Sequence, residues 1–549
     1  MSESIEKQTL AHWLIGFEKA ASQGDADWAS TAFHSECYWR DLVSFSWNII
    51  TCEGLEKISS MLQNCGPLTQ PSAWHLEEPF AVTEDGQIEA WFSFDTQNGR
   101  CRGHLRLKDG RCRSLLTVLT ELKGFEEPHG ERRERGSVHG IHPGRQNWLQ
   151  RRQTEQAELG ITRQPYCLIV GGGQAGLALS ARLKRLKVPA LIIDKNERIG
   201  DAWRKRYASL CLHDPVWMDH MPYLPFPDHW PVFTPKDKMG EWLDMYANVM
   251  ELDCWTQTEC INAHFDEDTD RWSVTVERNG KTIVLQPTQL VFATGMSGLP
   301  FVPHIPGSET FLGHHHHSSQ HFGGADYSGK KCVVIGSNNS AHDIGADLWE
   351  HGAHVTMVQR SPTMVVRSES LIEVIVSRLF SESAIKAGIS TEKADFIAAS
   401  NPFKLAALIQ KGFYNQIKLK DADFYKRLHD AGFMLTFGED ETGLSTMYMR
   451  RGSGYYIDVG ASELIANGQI KLQSGVEITR ILPHSVLLSN GTELPADLIV
   501  YATGYGPMND WAARLISKDV ADKVGKCWGL GSGTAKDPGP WEGELRNMW

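Results

Sequence analysis

The stretch from Tyr166 to Asp194, YCLIVGGGQAGLALSARLKRLKVPALIID, constrains this chain more than any other. Cys167–Val170 is a short apolar run with the length and composition of a buried parallel strand. It leads into Gly171, Gly173 and Gly176, spaced G-x-G-x-x-G. After them Ala178, Leu179, Ala181, Leu183 and Leu186 recur at helical spacing, and Ala190–Ile193 reads as a second buried strand ending on Asp194. Each part has a mechanical role. Gly171 permits a tight turn, Gly173 lets a pyrophosphate approach the backbone, and Gly176 lets helix and strand pack closely. The helix N-terminus offers unpaired N–H groups and a partial positive charge to phosphates. Asp194 follows about 20 positions on, where a carboxylate binds a ribose hydroxyl pair. The stretch predicts a dinucleotide site.

A second series starts at Lys330, KKCVVIGSNNSAHDIGADLWEHGAHVTMVQRS. It predicts a buried strand, a turn, a helix with Ala346, Leu348 and Trp349 on one side, and a strand Val355–Val358. Gly336 holds the first glycine place, Asn338 the second and Ala341 the third. Ala serves in the third place. Asn in the second is a departure, softened by the tolerance of Asn for the left-handed conformation. The strand ends on Gln359-Arg360-Ser361. A guanidinium where a carboxylate would stand accepts a 2′-phosphate, which selects NADP(H) over NAD(H). The plainer alternative is a surface Arg after an ordinary strand.

The 549 residues exceed one core and predict about three domains. Apolar content of 41% and charged content of 22% are those of a soluble globular protein. A net charge of −12 argues against a nucleic-acid partner. The start, MSESIEKQTLAHW, has neither a basic region nor an apolar signal core. No stretch reaches the ~18 consecutive apolar residues of a membrane span, so a cytoplasmic location is expected. The eleven Cys form no C-x-x-C pair and read as reduced intracellular thiols. Residues 314–317 are four His, but no Cys or acid ligands cluster beside them, so no metal is expected.

In order, residues 1–125 predict a small α+β domain. Leu10, Trp13, Leu14, Phe17 and Ala21 make a helical stripe, and a second helix begins near Asp25. Strands follow at Ala90–Phe94, Gly103–Leu107 and Cys112–Leu122, the last two joined by an Asp109-Gly110 hairpin turn. Helices first and a curled antiparallel sheet afterwards suggest a cone with one cavity. Trp39 and Asp41 could line it, although a core Trp and a capping Asp are the plainer reading. Residues 126–163 read as a charged, Gly/Pro-punctuated linker. Residues 199–233 hold too many Pro and aromatics for a regular element and predict a long ordered loop. A helix is expected over 237–250, strands at 272–277, 282–285 and Leu290–Phe292, and then Ala293-Thr294-Gly295. Residues 368–460 read as a helical insert. Short strands at Ile470–Leu472 and Val486–Leu488 would bracket a hairpin-like 473–485, and Leu498–Ala502 ends in a second A-T-G, completed by Thr503-Gly504.

These motifs are similar to those of the flavin-containing monooxygenases, including the plant auxin-synthesising branch. The carrying residues are G-G-G-Q-A-G at 171–176, G-D-A-W-R at 200–204, L-H-D-P at 212–215, P-F-P at 225–227, G-S-N-N-S-A-H-D at 336–343 and A-T-G-Y at 502–505. The family's F-x-G-x-x-x-H fingerprint falls on Phe311, Gly313 and His317, with His321 in its aromatic place. The N-terminal region, with W-R-D at 39–41, resembles nuclear transport factor 2-like domains, which serve as enzymes, lids or dimerisation modules; a homodimer through it is one expectation.

The resemblance implies an α/β protein with two Rossmann-like domains, the second inserted in the first. The FAD domain would be 164–299 with 505–549, and the NADP domain 300–504. It places FAD on Gly171, Gly173, Gln174, Ala175, Gly176, Asp194, Lys195, Trp203, Arg204, Thr294 and Gly295. It places NADPH on Gly336, Ser337, Asn338, Asn339, Ser340, Ala341 and Arg360, and counts Thr503 and Gly504 at the end of the second sheet among the cofactor-binding residues. Reduced flavin in this family traps dioxygen as a hydroperoxide and transfers one oxygen atom to a small organic substrate, as in N,N-dimethylaniline monooxygenases. His213 stands where one branch carries an Asn near the flavin, which makes it the candidate donor, with Asp214 beside it; a His satisfied within the loop is the alternative. Relatives continue further past the last A-T-G-Y than PGPWEGELRNMW does, so the FAD domain reads as incomplete and weak FAD retention is expected. A flavoprotein NADPH oxidase or a weakly active sensor protein is the alternative function. A pyridine nucleotide–disulfide reductase would need a Cys pair, and Cys211 stands alone.

Overall fold

The computed structural model describes residues 5–137, 139–529, 531–534 and 537–538. The chain divides into two compact units: Met1–Glu134 with Ile389–Ile409 and Gly529–Trp549, and Arg135–Gly388 with Gln410–Trp528.

In the first unit six strands form one sheet in the order Ile49–Glu53, Phe33–Leu42, Arg111–Leu122, Gly99–Lys108, Ile88–Asp95, Ser72–Val82. All neighbours are antiparallel except Phe33–Leu42 beside Arg111–Leu122. Asp109 and Gly110 both take positive φ, the conformation that a two-residue hairpin turn needs. The helix Ile5–Gln23 buries the predicted stripe against Phe33, Trp39, Phe45, Phe92 and Phe94. Rings pack in the interior, with Trp74 stacked on Phe94 at 4.5 Å and Phe17 edge-on to Trp39 at 5.3 Å.

Trp39 and Asp41 belong to that core. The Trp39 indole donates to Thr117 Oγ1 at 2.9 Å. The buried Asp41 carboxylate accepts from Thr117 Oγ1 (2.7 Å), Ser46 N (2.9 Å), Ser46 Oγ (2.7 Å), Phe45 N (3.1 Å) and the Ser44 hydroxyl. Asp41→Ala strands five donors around a void. It should cost about 3 kcal/mol of stability, read by chemical denaturation; a loss under about 1 kcal/mol would mean that the loop re-pairs with water.

The helix Gly54–Thr69 has no counterpart among the elements expected from sequence. Gly66 and Pro67 are poor helix formers, but a Cβ at Gly66 would lie 2.1 Å from Ala21 O, so close packing on the first helix selects glycine there. Ile389–Ile409, which reads as part of the insert, groups with the first unit. Arg106 Nη1 donates to Ser400 Oγ at 2.8 Å, Ser114 Oγ donates to Ser400 O at 2.9 Å, and Arg40 lies 4.6 Å over the Phe403 ring.

The second unit holds two parallel sheets. One runs Gln289–Phe292, Cys167–Val170, Ala190–Ile193, Cys254–Trp255. The other runs His314–His317, Leu498–Tyr501, Lys331–Ile335, His354–Gln359, Lys471–Ser474. Both are Rossmann-like. After the second sheet closes, Trp511 and Leu515 pack with Leu168, Val170 and Ile193, so the chain returns to the first. Of the C-terminal part of that domain, residues 530, 535–536 and 539–549 lie outside the described residues.

Three expectations change. The His run is a strand on the edge of the second sheet. Lys471–Ser474 joins that sheet beside His354–Gln359, and the hairpin is Ile478–Leu482 with Ser485–Leu488; sheet pairing at long range decides a strand whose own pattern is polar. The charged stretch 126–163 contains a helix, Trp148–Glu158, started by a capping box of Asn147 and Gln150 and tied down by Arg152 to Asp253 at 2.6 Å. The loop 199–233 is irregular apart from Asp201–Arg204, and a helix follows at Lys236–Val249. Among the described residues no helix is long and apolar enough to cross a membrane.

Candidate functional site

The two glycine turns of the second unit are copies of one device. Gly171 has φ +116°, and a Cβ there would lie 2.4 Å from Ala293 O. Gly336 has φ +123°, and a Cβ there would lie 2.4 Å from Ala502 O. Each of those alanines opens an A-T-G and bonds back to the neighbouring strand, Ala293 N to Val170 O at 2.8 Å and Ala502 N to Ile335 O at 2.9 Å. The repeated A-T-G therefore closes the strand beside each turn and leaves its first position to glycine alone.

The third positions differ. A Cβ at Gly176 would lie 2.0 Å from Gly171 O, whereas Ala341 carries its methyl buried. At the second position both backbones are extended, Gly173 at φ −81° and Asn338 at φ −98°. Asn338 is thus admitted without any left-handed conformation, a correction to the reason expected from sequence. A Cβ at Gly173 would meet nothing within 4 Å. The helices Gln174–Arg185 and Asn339–Glu350 start with no side-chain cap, so no N-cap side chain competes with an anion for their first-turn N–H groups. Open space at Gly173, a free helix start and a carboxylate beside it fit a dinucleotide at the first turn.

Asp194 holds its own loop, Oδ2 accepting from Gly172 N and Oδ1 from Asn196 N, both at 2.8 Å. Each oxygen keeps a lone pair for a ribose. Lys195 and Ala175 are exposed beside it. Gln174 Oε1 accepts from Trp203 Nε1 at 3.3 Å, and Arg204 braces the following loop through Ile199 O (2.8 Å) and Asp201 (3.1 Å). Thr294 is half-buried, and Gly295, at φ +73°, has open space around it.

At the second turn several of the expected ligands bond to the protein, Asn338 Oδ1 among them, accepting from Thr363 Oγ1 at 3.4 Å. The buried Ser337 hydroxyl pairs with Thr363 Oγ1 at 2.7 Å, and Asn339 Oδ1 accepts from Ile457 N at 3.1 Å. Ser340 is half-buried and Arg360 is exposed past its strand. Thr503 Oγ1 donates to Phe301 O, and Gly504 O accepts from His317 Nε2 at 2.9 Å. The F-x-G-x-x-x-H residues are structural: a Cβ at Gly313 would lie 2.4 Å from Asp497 O, and His317 clamps the second A-T-G turn. His321 is buried between His316 (3.2 Å) and Asp347 (3.6 Å). Among the described residues no group of three or more His, Cys, Asp or Glu could hold a metal ion, and all eleven cysteines are free.

His213 lies with its Nε2 3.7 Å from Asp343 Oδ2. Burial lowers the affinity of its ring for a proton, but the hydrogen-bonding and charge of Asp343, with the charge of Asp214, outweigh this and raise it above the ordinary value. Aromatic rings of the insert, joined by Trp528, also gather at the first A-T-G. Tyr448 OH lies 3.8 Å from Met296 Sδ, next to Gly295, while the Tyr455 and Trp528 rings stand edge-on to Tyr448 at 5.9 and 5.2 Å. Tyr448 and Tyr455 carry no local motif that marks them, and Asp343, the last residue of G-S-N-N-S-A-H-D, gives no sign there of its contact with His213.

Asp219, in the same loop, is pushed up to about 7 by burial and by the charge of Asp214, against His220. Its Oδ2 has no hydrogen-bond partner. A carboxyl raised in the folded state stabilises fully below its unfolded value of 3.8 and loses that contribution as pH rises through about 7. Thermal melts of Asp219→Asn should lose less stability than the wild type across that window; parallel curves would place Asp219 in water.

The fold and turns define a protein with two Rossmann-like sheets, each with its own glycine turn, in one unit. A family model described as pyridine nucleotide-disulphide oxidoreductase matches residues 168–401. Indole-3-pyruvate monooxygenase YUCCA1 of Oryza sativa subsp. japonica is 30% identical over 369 residues, 66% of this chain and 82% of the relative. Probable indole-3-pyruvate monooxygenase YUCCA4 of Arabidopsis thaliana is 30% identical over 367 residues, 66% and 80% of the two chains. Among solved structures, cyclohexanone monooxygenase with bound epsilon-caprolactone shares 18% identity over 64% of this chain and 76% of its own, with a TM-score of 0.49. The chain belongs to the flavin-containing monooxygenase family and is an enzyme of that class.

Proposed function

We propose that the chain is an FAD- and NADPH-dependent monooxygenase that places one oxygen atom of dioxygen in a small organic substrate. The duplicated turn with its A-T-G brace carries this reading, since two such turns in one compact unit suit a pair of nucleotides. FAD is assigned to Gly171–Gly176, Asp194, Lys195, Trp203 and Arg204, and NADPH to the backbone of Gly336–Ala341 and to Arg360. Together the bound cofactors supply two electrons and the activation of dioxygen. The residues of the chain bind, orient and exclude water. Asp194 offers lone pairs to a ribose, and the uncapped helix starts hold phosphates. His213, with Nε2 turned to Asp343, keeps Nδ1 as the ring atom for donating a proton. Met296, Tyr448 and Tyr455 wall the space beside Gly295 with apolar and aromatic surface.

The reading is tested by turnover under ¹⁸O₂ with NADPH against carbonyl compounds, amines and sulfides. Indole-3-pyruvate, the substrate named for the rice relative, belongs in that set. One labelled oxygen atom in a product is expected. NADPH consumption that yields hydrogen peroxide alone with every compound would favour the oxidase or sensor reading, to which Asn338 in a glycine place gives some support.

A further inference from the structure

We propose that Asp343 is a positioning residue for His213. Carried on the helix that opens the second nucleotide turn, its carboxylate holds the imidazole of the loop that follows the first turn and keeps it in its proton-donating form. This rests on the assignment of His213 made above.

The geometry is specific. The helix Asn339–Glu350 starts at the second turn, and Asp343 lies one turn into it. Asp343 Oδ2 accepts from Tyr207 OH at 2.7 Å and faces His213 Nε2 at 3.7 Å. Tyr207 is only 2% exposed, so its hydroxyl fixes where that oxygen points. One side chain of the NADP half thus grips two residues of the FAD-side loop, all within one compact unit. At 3.7 Å the His213 contact is longer than a short hydrogen bond, and it becomes an ion pair when the ring is protonated.

The groups facing His213 are Asp343 from the helix and Asp214 from its own loop. Those facing Asp343 are Tyr207, Cys211, His213, His342 and Tyr456. His342 is buried and held down to about 4, so it is neutral at physiological pH, and the tyrosines are raised by burial. No cation but His213 therefore competes for the Asp343 carboxylate among these groups. The ring is oriented through Nε2, which fixes Nδ1–H as the donor.

The test is a histidine-resolved hydrogen–deuterium exchange titration of the flavin-loaded protein, wild type against Asp343→Asn, Asp343→Glu and Tyr207→Phe. The wild-type midpoint of His213 should lie above 6.5. It should fall by about one pH unit in Asp343→Asn and recover in part in Asp343→Glu. Tyr207→Phe removes a donor from the carboxylate and should move the midpoint up, which decides the matter if Asp343→Asn fails to fold. The alkaline limb of the pH profile for product formation, where the donor loses its proton, should move with the midpoint. An unchanged midpoint in Asp343→Asn, or no upward shift in Tyr207→Phe, overturns the proposal. Failure of the oxygen-incorporation test leaves this titration readable, so the two readings fail separately.

Discussion

Gly176→Ala is expected to yield protein that no longer retains flavin. The added Cβ would lie 2.0 Å from Gly171 O, a backbone atom that cannot rotate away. Gly171 cannot retreat either, because it already lies against Ala293 O at φ +116°. The helix must tilt, which opens the turn on which the phosphates rest, and retention should fall at least about tenfold. Gly173→Ala separates this from folding. Its Cβ meets no protein atom within 4 Å, so the melting temperature should hold while flavin binding falls, since the methyl enters the space left for the pyrophosphate. Absorbance of flavin per mole of purified protein reads both. Stoichiometric flavin in Gly176→Ala would show that the first turn is not the FAD site. The reciprocal change, Ala341→Gly, should be mild, because the second turn already accommodates a methyl.

Arg360→Ala is expected to raise the KM for NADPH by about tenfold to hundredfold, the range for a lost charge-assisted hydrogen bond to a phosphate. The KM for NADH should not change, because that nucleotide has no 2′-phosphate for the guanidinium to meet. Arg360 is exposed past His354–Gln359, so truncation leaves no buried partner unpaired and folding should not suffer. Arg360→Lys should recover only part of the preference, as an ammonium lacks the two-pronged geometry. Steady-state kinetics with both nucleotides decides it. Equal loss for both would mean that Arg360 shapes the turn rather than reading the phosphate.

The glycine turns were legible because their signal is local. A buried strand, a turn and a helix each leave a short period in the sequence, and Gly171, Gly173, Gly176, Gly336 and Ala341 fall at fixed offsets within them. The helix Gly54–Thr69 was not legible, because its glycine and proline oppose helix formation and only packing against Ala21 O explains them. The His run was obscure for a related reason. An edge strand made of four histidines has no apolar alternation, and its place beside Leu498–Tyr501 comes from the sheet. Ser337 and Asn339 belong to a recognisable motif, yet their side chains brace Thr363 and Ile457, which spacing alone does not foretell.

The sequence by itself determined that there are two strand–turn–helix units of the Rossmann kind, that the strand after one leads to Asp194 and after the other to Arg360, and that two A-T-G segments recur after apolar strands. These are properties of neighbours in the chain, where backbone conformation and short-range periodicity act. Only the tertiary structure decided that each A-T-G lies against the first glycine of a turn, and that Asp343 meets His213 and Tyr207. Those contacts join residues more than a hundred positions apart. They arise from parallel sheet pairing and the burial of whole strands, and no residue pattern records which distant side chains that burial brings together.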